Sequence, residues 1–312
     1  MSRRSHRQKL EAPAKLTWEP MRLEKQAPLV ISRGARTCAS FCWIKLESEG
    51  ITGWGEAGEY SIGTHRETLN DILTGLQTAA GLIRRFDPTN REGIERCLRD
   101  SGIPSSVIAG IAQCLWDWLG KQTGQPVWRL LGSDPSQAPP TSVTIGIGTP
   151  QAAQQRVADW MKRGRFLAWK LKMGSPGGVK EDRRLFDAVS EVLPEGIHIS
   201  VDANGGWNLA DAISMSRWLA RRGVDHMEQP LPRGMEKQLK QLKSKSHLPV
   251  LVDESCLRSE DIPPLAASVD GINIKLMKCG GISEALRMIQ VARAFGLRTM
   301  LGCYSNSALG NI

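Results

Sequence analysis

AWKLKMG, residues 168–174, places two lysines, Lys170 and Lys172, at the close of a short apolar run, and four similar runs follow it. HISVDANGG (198–206) closes on Asp202, VDHMEQPLP (224–232) on Glu228, PVLVDESC (249–256) on Asp253 and GINIKLMKCGG (271–281) on Lys275. From 172 to 202, 228, 253 and 275 the successive gaps are 30, 26, 25 and 22 residues, each long enough for a strand, a helix and two short turns. That is the rhythm of a parallel (β/α) barrel, in which successive strand C-termini converge on one mouth. Three carboxylates flanked by lysines would meet there.

The alternation extends outward from this ladder. Strands are expected at 142–147, 168–172, 197–202, 225–228, 250–253, 271–275 and 298–302, with helices such as 151–162, 209–222 and 283–295 between them. Seven strands result, and an eighth with its helix would need about 25 more residues. Residues 141–312 are therefore expected to be a (β/α) TIM-type barrel domain truncated after strand seven, with unpaired edges near Val143 and Met300 that would favour aggregation. GSPGG, residues 174–178, lacks the Lys-Ser/Thr ending of a phosphate-binding loop and reads as a turn between strand and helix.

Residues 16–135 have another character and are expected to form an α+β capping domain. Residues 16–58 read as β structure, in which CASFCWIKLES alternates up to a turn at Glu49 and Gly50 and ITGWGEA answers it as the second arm of a hairpin. Helical spacing follows at 66–84 and 105–120, where Val107, Ile108, Ile111, Leu115, Trp118 and Leu119 share one broad face. Trp116, Trp118 and Trp128 are expected in the packing of these helices. The turn-rich stretch GSDPSQAPP, 132–140, separates the two domains.

The net charge of +9 is dispersed, and its densest cluster, Arg3, Arg4, Arg7 and Lys9, falls in residues 1–15, which read as a disordered basic tail and not as a nucleic-acid surface. No apolar run approaches the roughly 20 residues of a membrane span, and the start has no apolar signal core. Seven cysteines without a CxxC pair fit reduced thiols. A cytoplasmic enzyme with a small-molecule substrate, without nucleic-acid or membrane partners, is expected, and a homo-oligomer is left open.

Asp202, Glu228 and Asp253 would offer hard oxygen ligands from three adjacent strands, which suits Mg²⁺, and with no His or Cys among them zinc is disfavoured. Their carboxylates are expected to approach a common point within about 4 to 5 Å, since Mg²⁺ bonds are about 2.1 Å long. Lys170 and Lys172 flank Leu171 and so project to the same side of the strand, where each charge lowers the other's proton affinity. A lysine near neutrality can act as a general base. Singly, each carboxylate also suits a helix N-cap, and Asn204, Gly205 and Gly206 after Asp202 also make a good turn; all five residues together at barrel spacing favour a site.

KLKMG, VDANGGW, MEQPL, VDES and NIKLMKCGG, in this order, resemble the enolase superfamily in its muconate-lactonizing branch, and most closely the dipeptide epimerases. VISRGARTCAS and GITGWGEAGEY resemble the family's capping domain, and MLGCYSNSALG its seventh strand. The resemblance implies Mg²⁺-dependent epimerisation of a dipeptide, with L-Ala-D/L-Glu the default substrate, by a two-lysine 1,1-proton transfer through an enediolate. It implies Asp202, Glu228 and Asp253 as metal ligands and Lys172 and Lys275 as the acid/base residues on opposite faces of the α-carbon. Lys170 would lower the pKa of Lys172 and contact the substrate carboxylate, while Thr144 and Cys303 match positions that touch substrate. Selectivity would reside in capping-domain loops near Arg22–Arg36 and Glu56–Arg66.

Two departures stand out. Many relatives carry an acidic residue after the seventh strand, where this chain reads Cys303, Tyr304, Ser305, Asn306, and relatives hold the dipeptide's α-ammonium with a DxD pair on an eighth strand that these residues do not include. A cycloisomerase or an o-succinylbenzoate synthase-like lyase on the same scaffold, or a non-catalytic fragment, is the alternative expectation.

Overall fold

The computed structural model describes residues 14–311. The expected basic tail lies almost wholly outside the described residues, and Lys15 already opens the first strand. Strands β1 (Lys15–Ile31), β2 (Gly34–Ser48) and β3 (Ile51–Gly58) form an antiparallel sheet in that order. The β2–β3 turn is the two-residue Glu49–Gly50 turn, with φ of 52° and 75° joining Ser48 to Ile51, the primed geometry that suits strand twist.

A small hairpin of β4 (Tyr60–Ile62) and β5 (His65–Glu67) leads into helices α1 (Leu69–Ile83), α2 (Arg91–Asp100) and α3 (Ser105–Thr123). Helix α3 lies directly on β3 because Gly53 and Gly55 alternate on one face: a Cβ at either would stand 2.0 Å from a carbonyl oxygen of α3, that of Cys114 or Gly110. Three readings change here. The first expected helix begins at Leu69 because His65–Glu67 pair as a strand. Helix α2, REGIERCLRD, has only Ile94 and Leu98 as buried aliphatic anchors, too few for its period to be read. Trp118 is buried, whereas Trp128, on the short α4 (Val127–Leu130), is 40% exposed and stacks with Arg129.

The second region runs β6 (Ser142–Ile145), α5 (Pro150–Met161), β7 (Ala168–Lys172), α6 (Val179–Ser190), β8 (His198–Asp202), α7 (Leu209–Ala220), β9 (Met227–Glu228), α8 (Leu239–Lys245), β10 (Val250–Val252), α9 (Ile262–Leu265), β11 (Gly271–Ile274), α10 (Leu276–Cys279), α11 (Ile282–Ala294) and β12 (Arg298–Leu301). Its seven strands are parallel neighbours in chain order, a curled sheet that does not close among the described residues. The period of two sorts its side chains. Trp169, Leu171, Val201, Met227, Val250, Val252, Ile272 and Ile274 join the apolar core with the outer helices. Lys170, Lys172, Ser200, Asp202, Glu228 and Asn273 fall on the other, inner face.

Both ends of the sheet are edge strands, as expected, but only one of them is bare. On β6, Val143 and Ile145 are buried, and Ile147 just beyond donates its N–H to Val30 O of β1. Only β12 is bare, with Leu301 67% exposed.

Candidate active site

Each turn that follows an inner-face residue is built to present it. After β7, GSPGG is the expected turn: Asp182 of α6 accepts from the N–H groups of Gly174 and Ser175 and from Trp207 Nε1. After β8, Asn204 takes φ 45°, donates its N–H to Asp202 Oδ1 at 2.8 Å, and fixes that carboxylate. After β9, Gln229 takes φ 36°, and its Oε1 accepts from the N–H groups of Asp253 and Ser255, tying the β10 loop to its neighbour.

The sheet brings six of the sequence-derived residues together as three ion pairs. Lys172 Nζ stands 2.5 Å from Asp202 Oδ2, Lys170 Nζ 2.5 Å from Glu228 Oε2 and Lys275 Nζ 2.5 Å from Asp253 Oδ2; all six members of these pairs are buried. A fourth cation, Lys278, has no exposed surface and donates to Asp253 Oδ1 (2.8 Å), Asp253 O (2.7 Å) and Asn273 O (2.8 Å). Asn273 Nδ2 donates to Glu228 Oε1 at 2.6 Å. Buried Glu254 pairs with Arg33 at 2.8 Å and accepts from Asn204 Nδ2. Thr144 lies in register with Lys170 on the inner face, half-buried, and Cys303 is exposed beyond β12.

Burial and charge pull these groups apart. Burial, then the nearby Glu228 charge, pushes Asp202 above the usual carboxylate range. Burial would also raise Glu228, but Lys170 and the other lysines outweigh it and hold Glu228 down at about 2. Against the same burial, Lys275 and Lys278 hold Asp253 well below the carboxylate range. Burial opposes the charge on Lys170 and Lys275, yet Glu228 and Asp253 outweigh it and raise both ammoniums, Lys275 strongly. Lys170 therefore behaves as a counter-ion of Glu228.

The expected convergence of the three carboxylates on one point is not seen: among the described residues no group of three His, Cys, Asp or Glu side chains is arranged to hold a metal. The reason is the pairing itself, since a buried carboxylate takes the nearest cation, and here a lysine occupies one oxygen of Asp202 and of Glu228 and lysines occupy both oxygens of Asp253. The donor chemistry nevertheless fits Mg²⁺: Asp202 and Glu228 are register partners, Asp253 follows the next strand, and the set is all oxygen. Glu254 Oε2 and Asn204 Oδ1, beside them, are buried without a hydrogen-bond partner.

Arg33, Asn204, Glu254, Asn273 and Lys278 were not among the expected site residues. Asn273 could have been found, because it sits two residues before Lys275 on the same strand face. Lys278 follows Lys275 by one turn of α10, and only the fold shows that its side chain turns back under Asp253. Segments read as selectivity loops near Arg22–Arg36 and Glu56–Arg66 are largely strands, and the tip of the β1–β2 hairpin docks on the mouth, with Ser32 Oγ and Arg33 Nη1 both donating to Asn204 O.

The chain belongs to the mandelate racemase/muconate lactonizing enzyme family of the enolase superfamily: residues 16–132 match the family's N-terminal domain and residues 152–312 the enolase C-terminal domain-like fold. It is 41% identical over 303 residues to a hydrophobic dipeptide epimerase of Flavobacteria bacterium, covering 95% of this chain and 84% of that protein. It is 32% identical over 298 residues to the L-Ala-D/L-Glu epimerase of Bacteroides thetaiotaomicron, covering 94% and 74%. The dipeptide epimerase of Enterococcus faecalis, solved with Mg and L-Leu-L-Tyr, superposes with a TM-score of 0.89 at 30% identity, over 96% of this chain and 84% of that one.

Proposed function

We propose that the chain catalyses Mg²⁺-dependent epimerisation of dipeptides by 1,1-proton transfer, with residues 16–135 capping a barrel domain that starts at 141. The observation that carries this reading is the placement of Lys172 and Lys275 at strand ends four strands apart in the curled sheet, each buried against a carboxylate. Two such groups can reach opposite faces of one α-carbon. Asp202, Glu228 and Asp253 would hold the ion, which when bound supplies the positive charge that stabilises the negative charge developing as the α-proton leaves.

The lysines do the rest. Lys275, held as an ammonium by Asp253, is in the form that delivers a proton, and it becomes a base only on giving one up. Lys172 takes the proton from the other face, and the roles exchange for the reverse reaction. Lys170, fixed by Glu228, presents a permanent charge to the substrate carboxylate, with Thr144 and Cys303 as walls of the site. Free thiols throughout the described residues support a cytoplasmic setting. No helix among those residues is long and apolar enough to cross a membrane. Higher identity to the hydrophobic dipeptide epimerase than to the L-Ala-D/L-Glu epimerase shifts the expected side chain from acidic toward apolar.

The test is a panel of acidic and apolar dipeptides in D₂O with Mg²⁺, followed by NMR. Lys172→Ala and Lys275→Ala should each abolish epimerisation yet leave α-proton exchange from one epimer. Interconversion near the wild-type rate in either variant sinks the two-lysine mechanism, and a panel without any exchange sinks the dipeptide reading.

A further inference from the structure

Beyond the ion pairs, Lys275 has one more neighbour: the ring of Tyr304, whose centroid is 4.6 Å from Nζ. Tyr304 follows β12 in a segment without regular structure, where a side chain is ordinarily free to move. Here it is held on two sides by the capping domain. Its ring stacks on Tyr60 of β4, centroids 5.0 Å apart and planes 26° from parallel. Tyr60 is itself fixed, its hydroxyl donating to Glu67 Oε1 at 3.1 Å and lying 2.6 Å from Ser105 Oγ, and Glu67 also accepts from the N–H groups of Ser105 and Ser106 at the start of α3. Two residues past Tyr304, Asn306 donates to buried Glu56 of β3, which also accepts from Ser307 N–H, Ser307 Oγ and Trp43 Nε1.

We infer that Tyr304 is a positioning residue for Lys275, an aromatic plate mounted on the capping domain that fixes the direction of the ammonium. A lysine has four rotatable bonds and a compact charge, so a single carboxylate partner leaves Nζ free to swing. A ring face attracts the ammonium without offering it a second hydrogen-bond acceptor, which narrows that swing and leaves a donor for the substrate. Among the described residues Lys172 is paired with Asp202 alone and has no such plate. The two faces of the α-carbon should therefore respond differently to loss of the ring. Asn306 serves as the tether that keeps the plate in place, through its bond to Glu56.

The inference rests on Lys275 carrying the proton of one face, and the experiment separates the two ideas. With the Mg²⁺-loaded full chain and an active dipeptide, α-proton exchange in D₂O is measured in Lys172→Ala, where only the Lys275 face works, and in Lys275→Ala, where only the Lys172 face works. Adding Tyr304→Leu to both should shift the ratio of the two rates against the Lys275 face by about five- to tenfold, the size expected of a partly buried cation–π contact. Tyr304→Phe, which keeps the ring, should restore the ratio, and Tyr304→Gln serves where the leucine variant does not fold. An unchanged ratio, or a phenylalanine variant that behaves like leucine, overturns the inference. If Lys275→Ala leaves both faces exchanging, the assignment of Lys275 itself is wrong and the inference falls with it, a result read without any change at Tyr304.

Discussion

At the scale of single residues, the polar inner face is a set of charges that neutralise one another. Lys278 shows this most clearly: with no exposed surface it satisfies one carboxylate oxygen and two carbonyls. Lys278→Met should lower unfolding stability by about 2 to 3 kcal/mol, because it strands those acceptors while Lys275 still covers Asp253. A loss below about 1 kcal/mol in urea titration would contradict this. Gly302 is a quieter determinant. A Cβ there would meet Asn273 Oδ1 at 2.5 Å and Nδ2 at 2.7 Å, and Asn273 is the residue that orients Glu228. Gly302→Ala should weaken Mg²⁺ binding about 10- to 100-fold, the usual cost of disturbing a group behind a ligand; an unchanged calorimetric affinity would count against Glu228 as a ligand. Lys172, Asp202, Glu228, Asp253 and Lys275 were legible because each ends an apolar run at barrel spacing. Lys278, Glu254 and Arg33 were not, because their roles depend on which strand end lies opposite, and the chain order of residues far apart does not encode that locally.

At the scale of elements, legibility followed periodicity. Strand β7, AWKLK, is legible to the residue, because alternation and the glycine after Met173 delimit it. Strand β9, expected over 225–228, is confined to Met227–Glu228, with Asp225 and His226 in the stretch leading into it although both still bond to β8 through Ile199 O and Val201 N–H. The β structure expected over residues 16–58 is there as β1 to β3, but the β1–β2 pairing is hidden in the sequence, because a register irregularity between Glu24 and Leu29 breaks the alternation where a selectivity loop is expected. In the fold the tip of this hairpin is anchored by Ser32 and Arg33 on Asn204 and by Arg33 on buried Glu254. Burial, then the neighbouring Asp253 and Asp202 charges, pushes Glu254 upward, so its carboxylate needs the guanidinium. Arg33→Ala should release the hairpin and leave the barrel folded, and limited proteolysis should cut between residues 22 and 36 on the order of tenfold faster, as expected for a local opening made easier by one pair. Cleavage elsewhere first would show that the tip is not the anchor.

At the scale of the whole molecule, two properties follow from what is buried and what is left open. Burial pushes the thiols of Cys42 and Cys279 up to about 11 and that of Cys256 up to about 12, from an ordinary 9.0. These raised groups stabilise the fold fully below pH 9, where both folded and unfolded thiols are protonated. Above it only the unfolded chain ionises, so stability falls by about 1.4 kcal/mol per pH unit for each thiol until the folded pKa is reached. Lys170 and Lys275, raised by their carboxylates, act in the same direction above 10.5. The urea midpoint should therefore drop between pH 9 and 11 and be flatter in Cys42→Ala; a constant midpoint would contradict the burial. The second property is the bare edge. Strand β12 pairs only with β11, and Thr299 and Leu301, partners of Ile272 and Ile274, lie exposed beside it. An unpaired strand with exposed apolar side chains recruits another strand, whereas β6 at the other end has its apolar side chains, Val143 and Ile145, buried. A polypeptide of these 312 residues alone should then self-associate through one edge, with a concentration-dependent mass in light scattering. Lysines at Thr299 and Leu301 (T299K with L301K) should suppress it by charge, and the same pair of changes in β6, at Ser142 and Thr144, should not. Monodisperse behaviour across a wide concentration range would show that β12 is protected by something other than pairing.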